Sequence, residues 1–499
     1  MDILQPDLDL FKKNYSAGKK QVLYASFASD VHTPISSLIK LQKEKYIFLF
    51  ESVEKGSQKG RYSVIGLKPD LIWECKGNIC KINEINSKKK KIDKKTQPLI
   101  SLRNFFKKHK FRMPGDLPSI ASGFFGFLGY EMIRHFEKID LSKVDNLNLP
   151  ESIFIRPSIT LVFDNVSDKL IITKLVSPSN KNSKKSFNEA KKDILDTLEK
   201  LNKPLNRNSL KIPTFDKKVD IFKDVKSNTN FSEFSKMIDK AKRYIFEGEI
   251  FQVVISRIFK KKIDVLPISI YRSLRYLNPS PYLFFMNFKD FVIVGSSPEI
   301  LIKLQKDKVT IRPIAGTRKR GKDKNEDKNL EKDLINDPKE ISEHLMLLDL
   351  GRNDISRVST PGSVNVTKKM YIEYFSHVMH IVSNIEAKLD KKNDSTDVLF
   401  SGFPAGTVTG APKLRAIEII EELEKSKRNI YAGSVGFISN NGDINTCIAL
   451  RTALIKENYI YVQAGAGIVA DSISKNEFKE TENKALALLT ACAYAKNFK

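Results

Sequence analysis

Cysteine is scarce in this chain of 499 residues, which contains only Cys75, Cys80, Cys447 and Cys492. Four scattered cysteines are too few for a disulfide framework, and Cys75 and Cys80 lack the spacing of a zinc knuckle. The scarcity therefore predicts a protein of the reducing cytoplasm.

Long apolar runs are also missing. No stretch approaches the ~18–20 apolar residues of a membrane-spanning helix. The first residues, MDILQPDLDLFKK, carry early acids and show no signal peptide. These absences predict that the protein has no membrane partner.

Acidic residues are outnumbered, with 59 Asp and Glu against 85 Lys and Arg and a formal net charge of +26. Nucleic-acid binding is one explanation of such a charge. However, the lysines are spread widely, and no basic run is interleaved with stacking aromatic residues. A lysine-biased composition explains the charge more simply, so we expect no nucleic-acid partner. Binding to duplex DNA with a steep salt dependence would support the opposite interpretation.

The length allows two domains. Residues 202–229 contain Pro, Lys and Asn and are typical of a linker. We predict an N-terminal domain at 1–215, a linker at 216–229 and a catalytic domain at 230–499. Strand-like runs at 46–51, 62–65 and 71–75, and a helix capped by Asn230, indicate a mixed α and β protein.

One stretch near the C-terminus combines glycines with acids. A strand-like run at 459–463 leads into a predicted loop with Gly465 and Gly467, followed by a helix-like segment with Glu477 and Glu480. Carboxylates three residues apart share one helix face. Bare backbone beside them suits an anionic ligand held through Mg²⁺, which prefers oxygen ligands. A tight turn followed by a solvated helix explains this stretch alone equally well.

A second acidic pair, Glu340 and Glu343 in KEISEH, repeats the same spacing. Two acidic pairs that face each other would form a Mg²⁺ site that a substrate carboxylate completes. Solvated helix faces remain the alternative. That alternative is weaker here because both pairs occur beside Gly-rich loops.

Two polar residues lie in apolar runs. Arg451 lies in CIALRTALI, a predicted strand, and either pairs with an internal acid or faces an anion. His380 lies in YFSHVMHIV, three residues after His377. A histidine on an apolar element is more often a core residue than a catalyst, so the residues alone leave its role open.

Six stretches of the second half resemble the chorismate-utilising enzymes, in the same order along the chain. They are GEIFQVVISR (248–257), SSPE (296–299), PIAGTRKRG (313–321), KEISEHLMLLDLGRND (339–354), GFPAGTVTGAPK (402–413) and QAGAG (463–467). FLFESVEKGSQKGRYSVIG (48–66) and NPSPYLFF (278–285) are similar to the tryptophan-responsive site of the anthranilate-forming branch. The resemblance implies a large α/β (α+β) fold, a multilayer sandwich of central antiparallel β-sheets flanked by helices.

The resemblance also implies roles for residues. The metal ligands would be Glu343 and Glu480, supported by Glu340 and Glu477. The contacts to chorismate would be Gly316, Thr317, Tyr431, Arg451, Gly465, Ala466 and Gly467, the last three through backbone N–H groups. The catalytic residues would be Glu299 as general acid, His380 in the elimination of pyruvate, and Thr407, which would orient His380 or the substrate. The contacts to tryptophan would be Glu51, Ser52, Pro281, Tyr282 and Leu283, where Leu283 replaces a methionine common in relatives.

Two positions select the branch of the family. Enzymes that add water resemble one another in having a lysine where this chain has Gln252, and glutamine cannot deprotonate water. Many aminodeoxychorismate synthases have a nucleophilic lysine in place of Ala315. Both absences favour direct attack by ammonia, giving anthranilate and pyruvate through aminodeoxyisochorismate, a lyase reaction.

Ammonia needs a source. None of the four cysteines lies in a setting typical of a glutaminase nucleophile. The resemblance therefore implies a separate glutamine amidotransferase subunit, in a heterotetramer of two chains of each kind, with tryptophan as feedback inhibitor. Aminodeoxychorismate synthesis is the nearest alternative, and a catalytically inactive tryptophan-binding regulator is the alternative from another class.

Overall fold

The protein is described from a computed structural model. The described residues are 4–54, 58–85, 89–206, 213–215, 219–375 and 378–498. His377, residues 216–218 of the predicted linker and residue 499 lie outside the described residues. No helix within these ranges is long and apolar enough to cross a membrane.

Helices are interspersed with runs of consecutive strands along the described residues. The α-helices there, α1 to α11, are Leu8–Ser16, Pro34–Leu41, Pro98–His109, Ser183–Asn202, Phe231–Phe246, Pro267–Leu277, Lys324–Asn336, Pro338–Ser356, Ser395–Ser401, Lys413–Leu423 and Ser474–Tyr494. The strands there, β1 to β25, are Leu4–Gln5, Gln21–Ala28, Phe48–Glu51, Val53–Glu54, Gln58–Lys59, Tyr62–Lys76, Ile79–Glu84, Lys89–Asp93, Gly123–Leu128, Ser152–Asp164, Lys169–Val176, Lys226–Ser227, Gln252–Lys262, Tyr282–Asn287, Val292–Ser297, Ile300–Gln305, Lys308–Ile311, Ile314–Lys319, Asn365–Tyr374, Val378–Lys388, Gly410–Ala411, Ser434–Ser439, Ile444–Ile448, Thr452–Lys456 and Tyr459–Ile468.

Two long strands, β6 and β10, connect two antiparallel sheets. The first sheet runs β1-β2-β11-β10-β6-β3-β14-β15-β24-β25-β13-β12. The second runs β8-β7-β6-β10-β9-β22-β23-β16-β17-β20, and β18 and β19 also pair with β20. The register of β10 against β6 shifts between Arg156 and Pro157. Such an irregularity bends a strand, so each half of the pair can belong to a different sheet.

The core lies in three layers because successive residues of a strand point to opposite faces. Val162 of β10 packs in the cluster between the sheets, whereas its neighbour Phe163 packs against helices outside the first sheet. The helices α1, α2, α4, α6 and α11 contribute to that outer cluster. The helices α3, α5, α8, α9 and α10 contribute to the third cluster, with strands of the second sheet. The prediction of central antiparallel sheets flanked by helices is confirmed.

Local sequence signals explain several helix starts. The side chain of Asn230 accepts from the backbone of Glu233, and the Glu233 carboxylate accepts from the backbone of Asn230. This reciprocal capping satisfies donors that the first turn of α5 cannot use. The predicted start of this helix is therefore confirmed.

Several predicted elements differ from the structure. The runs at 62–65 and 71–75 belong to one strand, β6, and the predicted loop with Gly465 and Gly467 is the second half of β25. The loop prediction was wrong because β25 pairs with β13 along its whole length, from Tyr459 to Ile468. The predicted strand around Arg451 is interrupted, because β23 ends at Ile448 and β24 begins at Thr452.

Strand pairing also crosses the predicted linker at 216–229. Strand β3 pairs with β14, and β9 pairs with β22. The boundary at 216–229 stays a prediction, but segments from either side of it share both sheets.

Candidate active site

Two helices bring the four predicted acidic residues near one another. Glu340 and Glu343 lie in the first half of α8, and Glu477 and Glu480 in the first two turns of α11. Burial raises the pKa of Glu343, and the charges of Glu340 and Glu480 raise it further. Burial likewise raises the pKa of Glu477, again with a contribution from Glu480. The carboxylates of both helices therefore repel one another across a common space.

Only part of this negative charge is neutralised. Arg318 donates to Glu340 at 3.1 Å, and Lys484 lies 2.6 Å from Glu480. Within the described ranges, neither Glu343 nor Glu477 forms an ion pair. Hard carboxylate oxygens with unrelieved repulsion are the donor set that Mg²⁺ takes from proteins, usually one or two carboxylates plus substrate oxygens. The residues present therefore fit this ion.

The four acids do not bring three ligand atoms within 4.8 Å of one another. Within the described part of the chain, the group of possible metal donors that does so is Cys75, His135 and Glu151. However, Arg134 already donates to both oxygens of Glu151 at 2.6 Å, and Lys427 lies 3.3 Å from one of them. Two cations at this carboxylate disfavour a third, so this group is a buried ion-pair cluster.

Gln252 connects the acidic helices to strand β13. Its amide donates to Glu343 at 3.4 Å. A Cβ on Gly467 would lie 2.5 Å from the same amide nitrogen, so glycine leaves the space in which Gln252 crosses to α8. The bare backbone of β25 therefore admits a side chain of the neighbouring strand.

The register of β25 orients its backbone groups. Opposite Gly467 and Gly465, the N–H groups of Val254 and Ser256 point away from β25, to Thr409 and Glu424. Residues directly opposite in an antiparallel pair point the same way relative to their ladder, so Gly465 and Gly467 also direct their N–H groups away from β13. Ala466, between them, directs its N–H group towards β13.

Tyr431 and Lys484 approach the same strand. A Cβ on Gly465 would lie 2.8 Å from the Tyr431 hydroxyl, and Lys484 donates to the Gly465 carbonyl at 2.9 Å. Burial raises the pKa of Tyr431 to about 12, although the backbone N–H of Gly465 opposes the shift. Lys484 was missed by the sequence analysis, although its spacing of four residues from Glu480 is a helical ion-pair signal.

Arg451 is partly buried and has no carboxylate partner among the described residues. It adopts a φ of 46° in the break between β23 and β24. Burial lowers the pKa of Arg451, with no compensating acid. A partly buried cation without a partner carries a desolvation cost, so its guanidinium is best explained by an anionic ligand.

His380 lies near Arg451, since the charge of Arg451 affects the pKa of the His380 ring. Burial, together with a smaller contribution from the charge of Arg451, lowers the pKa of His380 to about 4. The ring is therefore neutral near pH 7. Its Nδ1 lies 2.8 Å from the Gly316 carbonyl oxygen and 3.1 Å from the Thr317 hydroxyl. Donation from Nδ1–H to the carbonyl leaves Nε2 as the proton acceptor.

Gly316 adopts a φ of +66°, which favours glycine. A Cβ there would lie 3.0 Å from a carboxylate oxygen of Glu340. This position of β18 therefore places the partner of His380 directly beside the acidic helix α8.

Glu299 follows β15 and is buried. Burial raises the pKa of Glu299 to about 8, and the Thr407 hydroxyl and the Ile314 backbone oppose this shift only in part. The Thr407 Oγ is buried without a hydrogen-bond partner of normal geometry. Thr407 thus lies beside Glu299, whereas the hydroxyl next to His380 belongs to Thr317.

The residues predicted to bind tryptophan lie together where β3 meets β14. Leu283 is directly opposite Glu51, and the Ser280 carbonyl accepts from the backbone of Val53 at 3.3 Å. The carboxylate of Glu51 already accepts from Tyr271 at 2.8 Å and from Arg275 at 2.8 Å. Ser52, Pro281 and Tyr282 are only partly buried. Glu51 therefore anchors α6, whereas Ser52, Pro281 and Tyr282 reach the surface.

The chain is similar to known proteins over most of its length. The family model described as "chorismate binding enzyme" matches residues 48–490. The chain is 43% identical over 494 residues to anthranilate synthase component 1 of Cereibacter sphaeroides, covering 96% of each chain.

Two solved structures share the fold. The crystal structure of anthranilate synthase component I from Streptococcus pneumoniae is 36% identical with a TM-score of 0.75, over 86% of this chain and 92% of that one. The menaquinone-specific isochorismate synthase of Escherichia coli is 20% identical with a TM-score of 0.69, over 97% of this chain and 98% of that one. The second likeness concerns the fold alone.

Proposed function

The chain belongs to the chorismate binding enzyme family, and we propose that it is the ammonia-using subunit of an anthranilate synthase. It converts chorismate and ammonia to anthranilate, pyruvate and water, through aminodeoxyisochorismate. Relatives that are 41% to 43% identical to this chain carry the name anthranilate synthase component 1.

The observation that carries the proposal is the unpaired Arg451 in a site with four carboxylates. A dianionic substrate needs cationic groups at both of its carboxylates. Arg451 binds one carboxylate of chorismate, and the N–H group of Gly467, directed away from β13, donates to an acceptor of the same ligand. Gly316, Thr317 and Tyr431 contribute to the same surface.

The other carboxylate is held through Mg²⁺. Glu343 and Glu480 would bind the ion, with Glu340 and Glu477 in support. When bound, Mg²⁺ supplies positive charge that offsets the repulsion between the acids and a substrate carboxylate.

Glu299 is the general acid. Ammonia adds at C2 of chorismate while the C4 hydroxyl leaves, and hydroxide leaves only if it is protonated. Because burial keeps the pKa of Glu299 at about 8, its carboxyl holds a proton near pH 7 and can donate it. The hydroxyl then leaves as water, and Thr407 orients the carboxyl.

His380 takes part in the elimination of pyruvate. Aromatisation removes the C2 proton and breaks the bond between C3 and the enolpyruvyl oxygen. The neutral ring, held through Nδ1 by Gly316, presents Nε2 as the base. Pyruvate forms when its enol takes up a proton.

The surroundings of the nucleophile favour ammonia over water. Gln252 occupies the position of the lysine of water-adding relatives, and its amide is committed to Glu343. Ala315 has no group that could attack the ring. Ammonia comes from glutamine through a separate amidotransferase subunit, consistent with the component 1 name of the relatives, in an assembly of two chains of each kind.

Tryptophan inhibits at the junction of β3 and β14. Because Glu51 is already paired with Arg275, the contacts that remain are Ser52, Pro281, Tyr282 and Leu283. Leu283 is directly opposite Ser296 of β15, and the Ser296 N–H donates to the Arg451 carbonyl at 3.1 Å. This contact between adjacent strands, followed by one hydrogen bond, connects the inhibitor contacts to the substrate cation.

Substitution of Arg451 tests the proposal. Arg451→Met should raise the KM for chorismate by about 10- to 100-fold, because a charged hydrogen bond is lost. Its thermal midpoint should equal or exceed that of the wild type, because an unpaired, partly buried cation is removed. Steady-state kinetics and thermal unfolding measure these two quantities, and mass spectrometry identifies the product of the wild type.

Arg451→Lys serves as the matched control, since it keeps the charge and should have an intermediate KM. An unchanged KM in Arg451→Met, or a product mass other than that of anthranilate in the wild type, would contradict the proposal.

A further inference from the structure

Arg257 of β13 contacts none of the four site acids, Glu340, Glu343, Glu477 and Glu480, yet it is nearly completely buried. Its side chain is 3% exposed. It projects from β13 towards α11, the helix that carries Glu477 and Glu480. A buried guanidinium is costly unless its donors are satisfied, so its partners indicate what it does.

Its hydrogen-bond acceptors and its acidic neighbour all belong to one stretch of α11, although the rings of Phe259 and Phe234 also lie 4.6 and 6.0 Å from the guanidinium. Arg257 Nε donates to the Thr481 hydroxyl at 2.8 Å, and Nη2 donates to the Phe478 carbonyl at 3.1 Å. The guanidinium carbon lies 3.5 Å from the centre of the Phe478 ring. Nη2 also lies 3.4 Å from a carboxylate oxygen of Glu482. Arg257 therefore holds residues 478–482 by stacking and by hydrogen bonds at once.

We propose that Arg257 is a positioning residue that fixes the orientation of Glu477 and Glu480, the two acids that α11 directs towards the metal. The inference rests on the proposed function. Phe478 and Thr481 alternate with these acids along the same turns, so a rotation of α11 that moved the acids would break the contacts of Arg257.

The start of α11 needs such support. Its N-cap residue, Ile473, provides no side-chain hydrogen bond to the first turn. The acids also repel one another, because like charges three residues apart lie on one helix face. Without an external clamp, the first turns of a helix fray, and here fraying would separate like charges.

Arginine suits this role better than lysine. Its planar fork can donate in two directions while its face stacks on an aromatic ring, whereas an ammonium is a single point charge. Phe478 is itself held by the rings of Phe231 and Phe234, at 5.3 and 5.8 Å between centroids. Through Arg257 and Phe478, the position of the turns of α11 that carry Glu477 and Glu480 therefore depends on β13 and α5.

The experiment measures the binding of Mn²⁺, a hard divalent cation that gives an electron paramagnetic resonance signal when free. The full-length chain is titrated with chorismate present and no ammonia, so that no turnover occurs. Arg257→Lys should weaken Mn²⁺ binding about 10- to 100-fold, the usual effect of removing support behind a metal ligand. At saturating Mg²⁺, its kcat should stay within about twofold, and the KM for ammonia should not change.

Arg272→Lys is the matched control. Arg272 of α6 also donates to a backbone carbonyl, that of Phe498 at 2.7 Å, and lies 5.5 Å from an aromatic ring centre. It supports the chain end beyond α11, so its replacement should leave Mn²⁺ affinity unchanged. Equal Mn²⁺ affinities of Arg257→Lys and the wild type would overturn the inference, as would a wild type that binds no Mn²⁺.

A second pair of variants decides the question if Arg257→Lys does not fold. Thr481→Val removes the hydroxyl that accepts from Arg257, whereas Thr481→Ser keeps it. We expect weaker Mn²⁺ binding in the valine variant and restored binding in the serine variant; equal affinities would again overturn the inference. A wild type that binds Mn²⁺ but forms no anthranilate would contradict the proposed function and leave the role of Arg257 standing.

Discussion

Glu299 illustrates how burial creates an acid at neutral pH. Its pKa is raised from 4.5 to about 8, mainly by burial. In the wild type, kcat/KM for chorismate should therefore fall as pH rises through about 8, once rates are corrected for the fraction of ammonia that is unprotonated. Glu299→Gln should lose about 10²–10⁴ in kcat and lack this alkaline decline. Near-normal turnover of Glu299→Gln would exclude the general-acid role.

The same carboxyl links stability to pH. A folded-state pKa above the unfolded value means that the folded chain binds the proton more tightly, so its stabilising contribution is complete below about 4.5 and lost as pH rises through about 8. Glutamine does not titrate. The free energy of unfolding of Glu299→Gln relative to wild type should therefore rise between these two pH values, as thermal unfolding can measure.

Single residues also show where sequence reasoning ends. The types of Glu299, His380 and Arg451 and their motifs could be predicted from the chain alone. The hydroxyl beside His380 could not, because Thr317 and Thr407 lie in separate motifs and only the pairing of β18 with β20 decides between them. Lys484 was missed because it donates to the Gly465 carbonyl, which belongs to a strand. That part of the strand was predicted as a loop on account of its glycines.

At the scale of elements, helices and strands that depend on local sequence signals were predicted correctly. Those that depend on pairing with strands distant in the sequence were not. The strand β3, predicted at 46–51, and the capped start of α5 were both predicted, since apolar runs and capping depend on neighbouring residues. The second half of β25 was mistaken for a loop because its strand character comes from β13, some two hundred residues earlier. The single bent strand β6 was divided in two for the same reason.

The junction of β3 and β14 makes a prediction about inhibition. A Cβ on Gly60 would lie 2.5 Å from the Ser52 Cβ and 2.7 Å from its Oγ, so Gly60→Ala must displace Ser52. If Ser52 contacts tryptophan, Gly60→Ala and Ser52→Ala should both raise the half-inhibitory tryptophan concentration by about tenfold, the cost of one hydrogen bond. The uninhibited kcat should stay the same, since neither residue touches the catalytic groups.

Gly18→Ala is the control for the backbone change, because no atom lies within 4 Å of its Cβ position, although its φ of +70° carries strain. It should leave inhibition unchanged. Unaltered inhibition in both Ser52→Ala and Gly60→Ala would show that tryptophan acts elsewhere.

For the molecule as a whole, the two shared strands β6 and β10 unite the two sheets, and the pairings of β3 with β14 and of β9 with β22 join the two halves of the chain. The proposed inhibitor contacts on β14 are separated from Arg451 by one strand, β15. Chain composition gave the mixed α and β class, but the sandwich followed only from family resemblance, because the bend of β6 and β10 has no local signature. The net charge of +26 fits attraction of a dianionic substrate.

We propose that this chain alone makes anthranilate from chorismate and free ammonia. The direct test supplies the purified full-length chain with chorismate, Mg²⁺ and an ammonium salt at mildly alkaline pH, and follows anthranilate fluorescence. We predict emission that grows with ammonia concentration and is absent when glutamine replaces ammonia without the partner subunit. Consumption of chorismate without anthranilate, or no consumption by a folded sample, would contradict the account.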